Sequence, residues 1–493
     1  MEIDLDESMI TRQSLGVSMK LGQMYDAHRD QYWTGLIFGK QVPSEAVEIT
    51  DNQHISREIV HHDTLEEKFN KLNIDPELKI SHVTRTIDDY IGHGNYIRSV
   101  SDSAREIRIS FVLKIDTKYE TIIVDNVINL VPSDPNIQHR CPNSTHFIAG
   151  IQWGVIGILM LKSKVNELND EANIRAALKA KLAALKINPG SKKKNDDSSY
   201  PKISNKDLNI EFELFIAREF YELSDQPKNV DEAVEFMQKL PSLVAKVNNG
   251  KGTEISYRML HLNACRKYLS LNNPANLSFY PTADEFMIGE IVKVFDELDQ
   301  SEQELNDIRC DFKGYSSCIP DEAIEEVDQM IKAVDKSRSD IGIMQMQSVV
   351  KKIRMGNSDK DKLREVIDRY GKMSISRSSI EAFIKSLGVF IEKINYIAEL
   401  HKKSAYFVAK NSSLHAEIKK HKLKEFYIFF CSWNKLDKSS ALLNKFSELL
   451  LSKKLKCVFV DMDCKPQISQ KEFPPEDNTI YLHKDRKYVP LDF

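Results

Sequence analysis

The stretch Ile107–Ile115, IRISFVLKI, alternates with a period of two, placing Ile107, Ile109, Phe111, Leu113 and Ile115 on one side of an extended chain. Alternation this long predicts a strand with one buried face. Leu208–Ile216, LNIEFELFI, repeats it with Leu208, Ile210, Phe212, Leu214 and Ile216. Phe147–Leu161, FIAGIQWGVIGILML, is apolar on both faces, which predicts a strand covered on both sides. It is shorter than the ~18–20 apolar residues of a membrane helix. Tyr119–Leu130 reads as a fourth strand. Long strands of this kind pair into a large sheet. Two helical or irregular inserts interrupt it, roughly Glu58–Arg98 and Glu167–Ile187, the second followed by the polar tip GSKKKNDDSSYP.

The pattern then changes. Residues from about 283 to 405 are helical. DEFMIGEIVKVFDELDQSEQEL sets Phe286, Ile291, Val294, Phe295 and Leu298 on one stripe, and PDEAIEEVDQMIKAVDKS opens on Pro320 and first-turn acids. SDKDKLREVIDRYG starts with an S-x-x-D box and ends at Gly371. SSIEAFIKSLGVFIEKINYIAEL completes four amphipathic helices, which predicts an antiparallel bundle. The polar stretch KNSSLHAEIKKHKLK reads as a linker. Beyond it EFYIFF, KCVFVD and TIYLH predict strands, with a helix over Ser439–Leu451, an α/β unit.

The totals narrow the function classes. Among 493 residues the net charge is -4, so no basic field points to nucleic acid. The seven cysteines are scattered, with no C-x-x-C pair, which favours reduced thiols. The acidic start MEIDLDESMI lacks a positive n-region and an apolar h-region. The expectation is a cytoplasmic protein, or one exported without a cleaved signal peptide. His61, His62 and His82 lack the spacing of a zinc site. No phosphate-binding loop, nucleophile elbow or kinase set occurs, so no enzyme, metal or cofactor is expected. Gly16 and Gly22, six apart near the start, make no phosphate nest and predict a bend or a close backbone approach.

The C-terminal unit carries a sharp negative result. Its order from FYIFFCSW to KCVFVD is similar to a thioredoxin core, with Trp433 where that fold has the Trp before its redox pair. The next four residues are Asn434, Lys435, Leu436 and Asp437, where two sulfurs would be needed. Asn478 stands before TIYLH, where a thioredoxin carries its cis-proline. Trp433, Asn434 and Asp437 therefore mark a degenerate redox site in a module kept for packing.

Several stretches together resemble one family. LGVSMKLGQMYDAHRD is similar to the LG-rich entry of stonustoxin-type proteins. THFIAGIQWGVIGILML resembles their T-H-V-V-T-G-I-x-Y-G strand, with Gly150 and the pair Trp153–Gly154 as landmarks. AVEFMQKLPSLV and MIGEIVKVFDELDQSEQELNDI resemble two further segments, in the same order. The resemblance implies a multidomain α+β chain: a bent antiparallel sheet with flanking helical clusters, like perforin and cholesterol-dependent cytolysins, over residues 1–262; a four-helix domain like the focal-adhesion-targeting bundle over 263–405; and a thioredoxin-like domain over 406–493. Venom members also carry a PRY/SPRY domain, which a chain ending at Phe493 is expected to lack. The resemblance further implies pore formation, in which a homo- or hetero-oligomer, with a related subunit, forms a ring on membrane lipid and two helical clusters unfurl into β-hairpins. Those clusters match roughly Glu58–Arg98 and Lys162–Asp207.

The residues speak unevenly for this. A lipid-spanning strand needs ~9–11 residues with one apolar face. Ile174–Ala184, IRAALKAKLAA, meets this, and its Ile174, Leu178 and Leu182 also lie on one helical stripe. These three are the candidate membrane-inserting residues. The return segment SKKKNDDSSYPKISNKD offers no alternation, and Pro201 would cost a ladder bond. In the first cluster Lys79, Arg85 and Asp89 fall on one face of an extended chain, and His82 and Asp88 on the other. A mid-bilayer Arg or Lys facing lipid costs about 2–4 kcal/mol. Two functions stay open, an oligomeric pore-former and a non-lytic intracellular scaffold using the same fold.

Overall fold

The computed structural model describes residues 9–83, 91–126, 136, 140–165, 170–183, 185, 209–265, 284–355, 361–410, 412–436, 441–468, 478–485 and 487–491, without the side chains of 342–344. Its residues fall into two compact units, Met1–Gln300 with Lys336–Met373, and Ser301–Asp335 with Ser374–Phe493.

The first unit is built on an eight-stranded antiparallel sheet: β1 (Met9–Gln13), β2 (Gln23–Asp26), β3 (Gln31–Leu36), β4 (Val47–Val60), β5 (Glu106–Ile122), β6 (His146–Lys164), β7 (Glu211–Phe215) and β8 (Thr253–His261). β6 is its spine, pairing with β5 and also with β2, β7 and β8. Among the described residues, β4 pairs only with β5. The five apolar residues of Ile107–Ile115 are buried in one cluster, as their alternation predicts, but Arg108, Ser110 and Val112 on the other face are buried too, so the strand is covered on both sides there.

Three features of this sheet correct the sequence reading. The fourth strand expected over Tyr119–Leu130 is not separate: Tyr119–Ile122 is the far end of β5, where a bulge between Asp116 and Tyr119 carries the strand past the polar DTK, and residues 127–130 lie outside the described residues. Glu58–Val60 ends the 14-residue β4 and does not open the first helical insert. VEITDNQHISREIV hides its strand character because most of its side chains are exposed, so no apolar face marks it. The strand expected over Leu208–Ile216 covers only Glu211–Phe215, and Leu208 lies outside the described residues.

Helices cover the sheet. α1 (Leu65–Lys71), α2 (Pro76–Val83) and the short α3 (Asn95–Arg98) lie in the chain between β4 and β5. α4 (Glu171–Ala183) lies between β6 and β7; of the predicted Glu167–Ile187, residues 167–169, 184, 186 and 187 lie outside the described residues. After the one-turn α5 (Arg218–Tyr221), α6 (Val230–Val244) begins at Asn229, whose side chain accepts the Glu232 amide at 2.9 Å. It buries Ala233, Phe236, Met237, Leu240, Leu243 and Val244 beside α4. The helical stretch consists of α7 (Glu285–Gly314), α8 (Asp321–Ser339), a π-helical turn at Asp340–Met346, α9 (Gln347–Arg354), α10 (Asp361–Gly371), α11 (Arg377–Ser386) and α12 (Gly388–Lys402). The division between the two units falls inside α7 and α8.

The second unit carries a five-stranded sheet in the order β13-β12-β10-β11-β9, made of β9 (Tyr406–Val408), β10 (Phe426–Cys431), β11 (Lys456–Asp461), β12 (Thr479–Lys484) and β13 (Lys487–Pro490). β9, β10 and β11 run parallel, and β12 and β13 antiparallel. The predicted linker holds α13 (Leu414–Lys420), started by Ser413, and α14 (Ala441–Ser452) joins β10 to β11. Sequence reasoning missed β9 and β13, which have three and four residues, too few to show a period.

Candidate functional site

Both helical inserts leave and rejoin the sheet at one end. Val60 at the end of β4 pairs with Ser110, Glu106 at the start of β5 pairs with Lys164, and Lys162 pairs with Glu211 of β7. The chain between β4 and β5 and the chain between β6 and β7 each join antiparallel strands. Extending those strands along their own direction would turn each insert into a hairpin.

α4 is held by apolar packing. Ile174, Leu178 and Leu182 are fully buried, against Ile109 and Phe111 of β5, Leu159 of β6 and Met237 of α6, among others. Their spacing of four builds the helix stripe; being even, it would also put all three on one face of a strand. Ala177 is buried in the helix and Ala180 exposed; an extended chain would put Ala180, not Ala177, on the apolar face. Polar ties sit at the edges: Arg175 bonds Glu171 at 2.7 Å and the His61 carbonyl at 3.0 Å, and Lys181 meets Asp231 at 2.9 Å.

The landmarks Gly150, Trp153 and Gly154 sit where the sheet is irregular. Register shifts fall in one row across β4 (Asp51/His54), β5 (Asp116/Tyr119) and β6 (Gln152/Trp153). Bulges in register with one another bend a sheet. Gly154 has φ +156°, and a Cβ there would lie 1.9 Å from the Ile115 carbonyl oxygen. A Cβ on Gly150 would lie 2.3 Å from the Tyr119 hydroxyl. Trp153 Nε1 donates to Glu120 at 2.8 Å, and Lys251, ion-paired with Glu120, lies 5.3 Å from the centre of the Trp153 ring. The predicted close approach at Gly16 is also present: φ is +85°, and a Cβ would lie 2.0 Å from the Ile91 oxygen.

The first insert is held by charge. Asp30, fully buried in the β2–β3 turn, receives Arg354 of α9 at 2.8 Å, Arg12 of β1 at 3.5 Å, and the hydroxyls of Tyr25 and Ser81. Arg354 Nε also donates to the Glu77 carboxylate of α2 at 2.9 Å, and NH2 to the Glu77 carbonyl and Ser81 Oγ at 3.0 Å each. Arg12 reaches Asp75 at 2.7 Å. Burial opposes the charge on Asp30, but Arg354 and Arg12 outweigh it and hold the carboxyl below its usual range. At the start of α1, Asp296 of α7 accepts the amides of Leu65 at 2.6 Å and Glu66 at 3.2 Å. Burial pushes Asp296 up to about 6, with Asp299 and Glu66 adding to the rise and the two amides opposing it. Sequence reasoning missed all of these residues. Glu77 and Arg354 lie 277 positions apart, and Arg354 reads locally as one more cation at a helix end. Arg85, Asp88 and Asp89 lie outside the described residues, as does the return segment 191–207.

At the turn expected to be a degenerate redox site, Trp433 is buried and opens a 3-10 turn, Trp433–Lys435. The Asp463 carboxylate accepts Ser432 Oγ at 2.7 Å and the Asn434 amide at 3.1 Å, so a fixed anion occupies the turn. Asn478, at φ +58°, accepts the Ser432 amide at 3.0 Å. Behind this, Lys393 of α12 meets the buried Asp461 at 2.6 Å. Burial pushes the thiols of Cys457 and Cys464 up to about 12, with Asp461 adding to the rise at Cys464. Such thiols are poor nucleophiles. Asp437 lies outside the described residues.

Residues 399–493 match a family described only as a domain of unknown function (DUF7656). No curated protein matches the chain in sequence. Among solved structures, that of stonustoxin is similar over 98% of this chain and 70% of its own, with a TM-score of 0.59 and 14% identity. Pneumolysin is similar over 43% of this chain and 40% of its own, at 15% identity and a TM-score of 0.24. GNIP1Aa from Chromobacterium piscinae is similar over 59% and 56%, at 11% identity and a TM-score of 0.25. The last two scores are too low to establish a shared fold. The likeness to stonustoxin is one of fold, and it agrees with the resemblance read from the sequence: a mixed α+β chain with a large antiparallel sheet and helical regions.

Proposed function

We propose that the chain is a non-enzymatic, membrane-acting protein that assembles with copies of itself or a related subunit and converts helical inserts into membrane-spanning hairpins. One observation carries the reading. Both inserts join antiparallel strands at one end of the sheet, and the second holds α4, whose three buried apolar residues suit a helix and a strand alike. No helix among the described residues is long and apolar enough to cross a membrane. The test is dye release from liposomes combined with electron microscopy of the protein on them. Leakage with rings supports the reading; intact liposomes across lipid compositions, with the protein still monomeric, refute it.

A second reading, a non-lytic scaffold of cytoplasmic location, is favoured by the first insert. Its α1 and α2 carry Glu66, Glu67, Lys68, Lys71, Glu77 and Lys79 within two short helices. Lipid would offer those charges nothing in return for Arg354, Asp63 and Asn70, which they meet here. Intact liposomes together with a stable protein complex would establish this reading over the first.

A further inference from the structure

The C-terminal sheet is charged at one end. Residues 399–493 carry 18 Lys and Arg against 12 Asp and Glu, whereas the whole chain carries 69 against 73. Because β9, β10 and β11 are parallel, the connections entering β10 and β11 reach the same end of the sheet. The antiparallel β12 delivers its last residues there too: Phe426, the first residue of β10, pairs with Lys456 on one side and His483 on the other. Lys422 and Lys424 precede β10, Lys453 and Lys454 precede β11, and Lys484 and Lys487 flank the β12–β13 turn. All six are exposed. Among the described residues, Glu425, 3.4 Å from Lys484, and Asp485 are the acids next to these lysines in the chain. At the opposite end of the strands Asp461 is buried against Lys393, and the exposed Lys435 and Lys465 follow β10 and β11.

Two details say what kind of surface this is. Lys422 and Lys453 both hold left-handed backbone, φ +52° each, where Gly or Asn would be less strained. Long cations project from the tightest points of the turns. Next to them, Leu451 at the end of α14 is 61% exposed. Lysines act as point charges suited to a diffuse negative surface, whereas reading bases favours the bidentate fork of Arg. An exposed Leu among them suits a headgroup layer with hydrocarbon beneath it.

We propose that this lysine-lined end of the C-terminal sheet is the face through which the chain docks on an anionic lipid bilayer, with Leu451 entering the headgroup layer. The proposal rests on the membrane reading above and names its lipid partner and the surface that meets it.

The test is flotation of the full chain with vesicles of phosphatidylcholine, alone or mixed with phosphatidylserine, with dye release recorded separately. Wild type should bind only the mixed vesicles, and less as salt rises. The triple variant K424E/K453E/K454E should bind at least about tenfold more weakly. K239E/K246E/K293E, which changes net charge equally on exposed residues elsewhere, should bind like wild type. Leu451→Ser, a change at an exposed position, should weaken binding without altering the thermal melt. Equal loss in both triple variants, no loss in the first, or binding to a single-stranded oligonucleotide in place of vesicles would overturn the proposal. Binding without leakage would keep the docking face and refute the pore; leakage indifferent to the lysines would do the reverse.

Discussion

Arg354→Met should loosen the first helical insert more than any exposed charge change can. Arg354 is 2% exposed, and its guanidinium meets Asp30 at 2.8 Å and Glu77 at 2.8 Å. Methionine fills most of the volume but leaves both carboxylates buried. Asp30 keeps Arg12 only at 3.5 Å. Removing one partner from a buried ion pair costs about 3–5 kcal/mol, because the other charge stays uncompensated. A chain of two units need not unfold in one step, so the assay is hydrogen exchange read at the α2 amides. Protection there should fall by about two to four orders of magnitude. Arg354→Lys should recover only part of it, since one ammonium cannot span Glu77, Ser81 and Asp30 as the fork does. Adding Glu77→Met to Arg354→Met should recover more, because it removes a stranded charge. A fall below about tenfold, the scale of an exposed pair, would refute the claim that this network fastens the insert.

Gly154→Ala should destabilise the first unit by more than about 2 kcal/mol, since its Cβ would collide with the Ile115 carbonyl at a φ that L residues avoid; a melting curve matching wild type would refute this. Asp296 has the opposite pH sign to a salt-bridged carboxylate. Its folded pKa, about 6, lies above the unfolded value near 4, so the folded state binds the proton more tightly and gains stability as pH falls from about 7 toward 4. Asp296→Asn should remove that gain, measured as the difference in α1 amide protection between neutral and mildly acidic buffer. Cys464, pushed up to about 12, should react with a disulfide probe far more slowly at neutral pH than a free thiol, and the chain should not reduce insulin.

The parts legible in the sequence are those whose buried residues are apolar and close together in the chain. β5 and α4 show a period because one face of each packs in an apolar core, and β6 shows an unbroken apolar run because both of its faces are covered. β4 was largely hidden, since an edge strand with exposed side chains carries no apolar alternation. The turn after Trp433 was legible as a negative, because the resemblance to a thioredoxin core sets where two sulfurs would stand and Asn434–Asp437 hold none. The anion that replaces them, Asp463, was not, as it arrives from the end of another strand. The Arg354 network was invisible for a related reason. Its members are ordinary charged residues in three separate elements and a turn, and only the fold shows that they are buried together.

The two inserts are thus fastened by different physics, and this sets how each would respond to a bilayer. α4 gives up contacts between Ile174, Leu178, Leu182 and the sheet, yet hydrocarbon would return most of that stabilisation, since burial in lipid and burial in a protein core both remove apolar surface from water. The first insert gives up ion pairs and amide caps at Glu77, Asp30 and Asp296, and hydrocarbon returns none of it. Exposure to lipid therefore lowers the cost of opening α4 and raises that of opening α1 and α2. An outcome in which α4 inserts while the first insert stays folded against the sheet follows from the chemistry of the fasteners. A protein in which both open together would need another partner, such as a neighbouring subunit, to take over the charges that Arg354 and the α1 amides now satisfy.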